Sequence, residues 1–363
     1  MRICVIGTRG FPSIEGGVEK HCEMLYPFLA GNAQIVVFRR KAYVTEHCEY
    51  KNIHFIDLMS TTIKGLETVI HSLLSVIHTI KMRPDVVHFH NIGPGMFIPL
   101  VKLFSIPVVL TYHSPNYEHR KWGIFAKILL RFSESLALRF ADRVIFVNRF
   151  QMEKYAYKVR AKSEYIPNGI LLPKSLNEKD YIETRGIKPG KYILSVGRIT
   201  PEKGFHTLIS AFKELGMEDV QLVIAGGVEH ETGYMTQLQE LSKGSNVIFI
   251  GFVKGETLAQ LYSHAALFVL ASENEGFPLV LLEAMGYQRD VLVSDIPGTR
   301  LVDLKEEDYF PVGDVAALTQ GLRDKLQEER CRTYDLTGYD WQKIADRTFG
   351  VLREATQESR IKA

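Results

Sequence analysis

Short apolar runs rich in Val, Ile and Leu recur along the chain, separated by longer stretches with helical period. Residues 2–6, 34–38, 54–56, 86–89, 108–111 and 143–147 read as strands, and 18–29, 65–81 and 125–140 as amphipathic helices between them. Continuous apolar strands alternating with such helices predict a parallel sheet covered on both faces. The pattern pauses over 166–191, which is rich in Pro, Gly, Asn and charge and reads as a domain boundary. A second alternation then begins, with strands at 192–196, 221–225, 247–250, 267–270 and 291–294 and helices at 205–215, 233–243 and 256–265. The expectation is an α/β chain of two Rossmann-like domains, 1–170 and 171–342, facing each other across a cleft.

Composition narrows this picture without changing it. A chain of 363 residues has a soft prior of about two domains at ~150 residues each. Apolar residues at 46% and charged residues at 24% exclude a disordered chain. A net charge of +2 gives no reason to expect nucleic acid as a partner. Cys4, Cys22, Cys48 and Cys331 lie far apart with no paired spacing, and read as reduced thiols of a cytoplasmic protein. The most apolar stretches, 69–80 and 96–110, are interrupted by His71, His78, Lys102 and Pro107, short of the ~20 apolar residues a bilayer requires.

Three loops carry the candidate chemistry. The first strand runs into Gly7-Thr8-Arg9-Gly10-Phe11-Pro12, and a helix opens at Glu15-Gly16-Gly17-Val18-Glu19. Glycines at such a turn let backbone amides approach an anion, although a loop needing only flexible backbone has the same composition. Arg9 breaks the dinucleotide fingerprint, and Arg39 and Arg40 follow the second strand where that fingerprint wants an acid, which demotes a dehydrogenase. After the first strand of the second half comes Gly197-Arg198-Ile199-Thr200-Pro201-Glu202-Lys203-Gly204, in which Arg198 and Lys203 can converge on one diphosphate. The third loop, Ser272-Glu273-Asn274-Glu275-Gly276-Phe277-Pro278-Leu279, leads into a helix carrying Glu283, with Pro278 expected in its first turn. If the whole segment is helical, Glu275 and Glu283 stand about 12 Å apart, and each carboxylate can accept paired hydrogen bonds from vicinal sugar hydroxyls. His88 and His90 alternate on one strand and so point the same way, read first as packing or wall residues.

The pairing of GRxxxxKG with E-x7-E resembles glycosyltransferase family 4, the retaining nucleotide-sugar transferases of GT-B fold, and Ile166–Ile170 (IPNGI) and Phe249–Val253 (FIGFV) match further landmarks. The GTRGFP opening is similar to a subset with rhamnosyl- and hexosyltransferases of bacterial surface polysaccharides. This resemblance implies that Arg198 and Lys203 neutralise the donor diphosphate, helped by the amides of Gly16 and Gly17. It implies that Glu283 holds the ribose hydroxyls and Glu275 the transferred sugar, with the amides of Gly276, Phe277 and Leu279 and the turn at Pro278 nearby. Backbone around Val253 would meet the base, and His113 would stand near the anomeric centre. A C-terminal helix, 343–363, would cross back to the first domain. Gly286 to Asp290, Pro297 and Leu171 depart from the family's usual residues around the donor pocket.

The chain contains no D-x-D motif, so no metal cofactor is expected and fixed cations and helix N-termini would stabilise the leaving group. The reading is a retaining hexosyltransferase moving a hexose or deoxyhexose from a nucleotide-sugar to a saccharide or lipid-linked glycan. A nucleotide-sugar epimerase of similar fold and a non-catalytic nucleotide-sugar-binding component of an assembly complex are the alternatives. Residues 119–132 mix cations with bulky apolar side chains, so they suit either peripheral contact with an anionic membrane or an ordinary helix with a basic outer face.

Overall fold

The computed structural model describes residues 1–14, 16–44, 48–61, 63, 66–115, 117, 123–228, 233–327 and 332–362, with side chains to Ser359. Glu15, Gly65, residues 119–122 and Cys331, each part of a motif or segment above, lie outside the described residues. The chain forms two compact units, one of Met1–Gly169 with Gly338–Ala363 and one of Ile170–Thr337.

The first unit holds a seven-stranded sheet in the order β3-β2-β1-β4-β5-β6-β7. Its strands are β1 (Arg2–Ile6), β2 (Gln34–Arg40), β3 (Ile53–Leu58), β4 (Val86–His90), β5 (Val108–Tyr112), β6 (Arg143–Phe146) and β7 (Ser163–Tyr165). Every pairing is parallel. Side chains alternate across the sheet, so each strand feeds two cores. Ile3 and Val5 of β1, Val86 of β4 and Val109 of β5 join the core formed with helix Gly17–Leu29 and the C-terminal helix Trp341–Lys362. Cys4, Ile6, Val87, Phe89, Val108, Leu110 and Tyr112 join the core on the opposite face. By the same alternation His88, His90, Thr111 and His113 face the side that carries the C-terminal helix. That helix supplies Trp341, Ile344, Ala345, Leu352 and Ala355 to the first core, with the Trp341 indole fully buried.

The second unit repeats the order with six strands, β10-β9-β8-β11-β12-β13. These are β8 (Tyr192–Val196), β9 (Gln221–Ala225), β10 (Val247–Gly251), β11 (Leu267–Leu270), β12 (Asp290–Ser294) and β13 (Tyr309–Phe310), again all parallel. In both sheets the order reverses beside the first strand of the array, between β1 and β4 and between β8 and β11. Loops at the carboxyl ends of strands beside such a reversal are where open α/β sheets bind ligands.

Two details differ from the sequence pattern. The short strands β7 and β13 went unpredicted, because three and two residues leave no readable period. Pro278 stands one place before the helix, which spans Leu279–Gly286, so Glu275 lies on a loop and only Glu283 is helical.

Candidate active site

In the second unit the loops after β8 and β11 meet. Gly204 adopts the left-handed conformation (φ 66°) between a short 3-10 turn, Pro201–Lys203, and helix Phe205–Leu215. A side chain there would collide with the Ala271 carbonyl, so the close approach of the two loops requires glycine. The Glu273 amide donates to the Glu202 carbonyl over 2.8 Å, tying the loops together. On this base Lys203 Nζ donates to Glu275 Oε1 at 2.5 Å, and Ser272 Oγ donates to the same oxygen at 2.7 Å. The pair is mostly shielded, with 17% and 11% of the two side chains exposed. Arg198 is half-buried on the same loop, and the backbone beside it is held by the Ile199 amide donating to Gly227 at 2.9 Å.

Glu283 accepts a 3.0 Å hydrogen bond from the Tyr262 hydroxyl, whose ring stacks on Tyr287 at 5.2 Å. Tyr262 and Tyr287 therefore orient one oxygen of this carboxylate, a role with no local signal in the sequence. Gly276 and Leu279 are half-buried, Phe277 and Pro278 are buried, and Val253 is half-buried two residues past β10. The second unit thus brings together Lys203, Glu275 and the start of helix Leu279–Gly286. Gly16, Gly17 and His113 belong to the first unit.

There Gly16 (φ 148°) precedes helix Gly17–Leu29, and a side chain on it would collide with the Glu19 carboxylate. Glu19 is buried and accepts from the Arg9 amide at 2.9 Å and from Thr8 Oγ1 at 3.4 Å, so a carboxylate already complements this helix start. Arg39 is committed to Asp57 (2.7 and 3.0 Å) and Arg40 to Glu67, a structural use for both.

His113, just past β5, is buried at the end of a histidine cluster. Its Nε2 lies 2.9 Å from His90 Nδ1, and its ring is 4.9 Å from that of His21. His21 Nδ1 lies 2.7 Å from Asn168 Oδ1. All four imidazoles are pushed below their ordinary pKa, His21 to about 4 and His88 to about 3, with His90 and His113 also well below. Burial is the largest cause in each case; neighbouring imidazoles add to it for His88, His90 and His113. At neutral pH the rings are uncharged. His21 and Tyr26 were missed in the sequence, although a histidine among Cys22, Leu25 and Leu29 on an apolar helical face was the available signal.

Nitrogens of His21, His90 and His113 lie within 4.8 Å of one another, a spacing open to a metal ion. Two lone pairs on one tetrahedral ion at ~2.05 Å would sit about 3.3 Å apart. The 2.9 Å His90–His113 contact is shorter than that and is the length of a hydrogen bond closed by a proton. The residues present fit a hydrogen-bonded chain better than a ligand set.

The fold and these loops define a GT-B protein, and the comparisons with known proteins agree. Residues 177–335 match the family Glycosyl transferases group 1 and residues 15–172 match Glycosyltransferase Family 4. The chain belongs to this group of GT-B glycosyltransferases. It is 26% identical to an uncharacterized glycosyltransferase of Methanocaldococcus jannaschii, over 98% of this chain and 99% of that one. It is also 26% identical to UDP-Gal:alpha-D-GlcNAc-diphosphoundecaprenol alpha-1,3-galactosyltransferase of Escherichia coli, over 76% of this chain and 77% of that one. Some relatives are longer proteins, of which the chain spans about half. Among solved structures, sucrose-phosphate synthase from Thermosynechococcus elongatus superposes with a TM-score of 0.82 at 21% identity, covering 97% of this chain and 98% of that one.

Proposed function

We propose that the protein is a retaining, metal-independent transferase that moves a hexose or deoxyhexose from a nucleotide-sugar to a lipid-linked glycan of a bacterial surface polysaccharide. The observation that carries this reading is the Lys203–Glu275 pair, built on the loops after β8 and β11 with Arg198 on the same loop as Lys203. Lys203 and Arg198 are the cations for the donor diphosphate, and Glu275 holds Lys203 in place while offering its other oxygen to the sugar. As negative charge develops on the departing phosphate, fixed cations and the start of helix Leu279–Gly286 stabilise it. The acceptor hydroxyl attacks from the face the phosphate leaves and passes its proton to that phosphate. Glu283, held by Tyr262, receives the ribose hydroxyls, and backbone at Val253 meets the base. His113 and the amides of Gly16 and Gly17 contact the donor from the first unit's residues, as the family resemblance implies.

A lipid-linked acceptor is supported by the activity for which the Escherichia coli relative is named and by one face of the first unit. Helix Ile124–Phe140 exposes Ile124, Phe125, Ile128, Leu129 and Phe132, with Phe125 85% exposed, and carries Lys127 and Arg131 among them. Its outer face is thus apolar with basic residues interspersed, the composition of a helix that lies in an anionic membrane surface. No helix among the described residues is long and apolar enough to cross a membrane.

The test is turnover of UDP-, GDP-, ADP- and dTDP-sugars with undecaprenyl-diphosphate-linked saccharides, with and without a chelator, reading the product anomer by NMR. Expected is one donor whose anomeric configuration is kept in the product, at an unchanged rate in the chelator. An inverted anomeric centre, chelator-sensitive transfer, or conversion of the donor without acceptor would each overturn the corresponding part of the reading.

A further inference from the structure

The Glu275 carboxylate is held at one oxygen only. Lys203 Nζ and Ser272 Oγ both donate to Oε1, at 2.5 and 2.7 Å, and no described residue donates to Oε2. The sense of the Ser272 bond is fixed, since a carboxylate only accepts and the hydroxyl has one proton to give. The two donors differ in kind. Lys203 is a point charge on a four-carbon stem, and of its three ammonium protons the described residues take one. Ser272 is buried, three residues ahead of Glu275 on the same loop.

The Ser272 backbone is fastened from the neighbouring strand. Ser294, at the end of β12, donates its Oγ to the Ser272 carbonyl at 2.5 Å, and the Ser294 carbonyl accepts from Thr299 Oγ1 at 2.7 Å. Ser294 and Thr299 are buried as completely as Ser272. The loop after β12 also closes on Glu275 itself. A Cβ on Gly298 would stand 2.5 Å from the Glu275 carbonyl oxygen and 2.8 Å from its Cβ, so the absence of a side chain there is what lets the two loops come this close. The loops after β11 and β12 thus seat Glu275 between them, and Lys203 adds its charge from the loop after β8.

We propose that Ser272, fastened by Ser294, is a positioning residue that keeps Glu275 Oε2 aimed at a hydroxyl of the transferred sugar while Lys203 turns its charge to the donor diphosphate. The sugar contact rests on the functional reading above; the seating of Glu275 without Lys203 does not. A diphosphate competes with Glu275 for the ammonium, because both are anions. The Ser272 proton stays out of that competition, buried and already bonded, so the carboxylate keeps one fixed oxygen as its lysine is drawn off.

Seating is read first, in crystals of the donor-free protein. In Lys203→Met, Ser272 Oγ should remain within hydrogen-bonding distance of Glu275 Oε1; a carboxylate turned away from Ser272 would overturn the proposal. Binding is read next, by titration calorimetry with UDP-, GDP- and ADP-glucose, UDP-galactose, dTDP-rhamnose and their parent diphosphates. For the nucleotide that binds, Ser272→Ala should weaken the nucleotide-sugar about fivefold, the equivalent of one net hydrogen bond, and change the parent diphosphate by less than about twofold. Ser294→Ala, which unfastens the Ser272 carbonyl, should shift the same ratio in the same direction, so the outcome does not depend on one variant folding. In a Glu275→Ala background Ser272→Ala should have no further effect, because it acts through that carboxylate. A loss shared equally by diphosphate and nucleotide-sugar, or one that persists without Glu275, would make Ser272 a purely structural residue and sink the proposal. If no nucleotide binds while Glu275 stays seated in Lys203→Met, the functional reading falls and the sugar contact with it, and the seating stands.

Discussion

The two units share a strand order and place opposite chemistry at the same topological position. Beside β1 and β4 the first unit gathers neutral groups, Tyr26, His88, His90 and His113, buried and closed by mutual hydrogen bonds. Beside β8 and β11 the second gathers charges, Lys203 against Glu275 with Arg198 on the same loop, on partly exposed backbone. The reversal of strand order says where ligand chemistry collects and nothing of its kind. What decides the kind is burial: the histidines sit under two helices of the first core, where an added charge has no partner, whereas Lys203 and Glu275 arrive on loops that leave them within reach of water.

This contrast can be broken at several points. The largest effect is expected from Trp341→Ala, which empties the core beneath the histidine cluster and should cost about 3–5 kcal/mol in chemical denaturation. The indole packs 5.5 Å from the His21 ring, so the same variant should disturb the cluster while leaving the second unit's hydrogen-exchange protection intact. Lys203→Ala is expected to reverse the pattern, with stability nearly unchanged and kcat/KM for donor turnover reduced about 10²–10³-fold, the usual loss when one stabiliser of developing charge is removed. A reduction under threefold would take Lys203 out of the site.

Acid should separate the units. The His21 and His88 rings fall from 6.5 in the unfolded chain to about 4 and about 3 in the folded one. Between those values the unfolded state binds more protons, so stability rises with pH there, is whole above about 6.5, and is lost as pH falls toward 3. In the second unit Asp308 ionises below its ordinary 3.8; burial opposes this, but Arg332 and Lys325 donate to its carboxylate and prevail. Its contribution is present above that value and lost below it. Hydrogen exchange followed down the pH scale should therefore show the first unit opening near pH 5 while the second holds. Opening in the opposite order would contradict the assignment of a neutral cluster. The smallest expected change is Phe125→Asp with Ile128→Asp, which should abolish sedimentation with anionic liposomes while altering stability by less than about 0.5 kcal/mol, as for other exposed positions.

Much of this architecture was legible from residue order. Strands β1, β8, β9 and β11 occupy the residues expected of them, because a strand buried on both faces reads as a continuous apolar run whatever its neighbours are. The loop that carries GRxxxxKG was legible as well, since a turn between strand and helix is encoded locally by glycine and proline. The weak points are where meaning depends on a partner. Ser163-Glu164-Tyr165 forms a strand only because β6 lies beside it. Pro278 ends a loop and does not sit inside the helix: its backbone is extended (φ −78°, ψ 97°) and it stands at the N-cap of Leu279–Gly286.

The sequence by itself determined the two parallel sheets, the positions of the glycine-rich loops and the shared direction of His88 and His90, all of which follow from neighbours one to eight residues apart. Packing in three dimensions set which residues of the C-terminal helix complete the first core, that Tyr262 orients Glu283, and that Thr111, Tyr26 and His113 join the two strand histidines in one line. Those contacts link residues 21 to 355 positions apart along the chain, where no local spacing or propensity acts and only the packing of helices on a sheet brings the groups together.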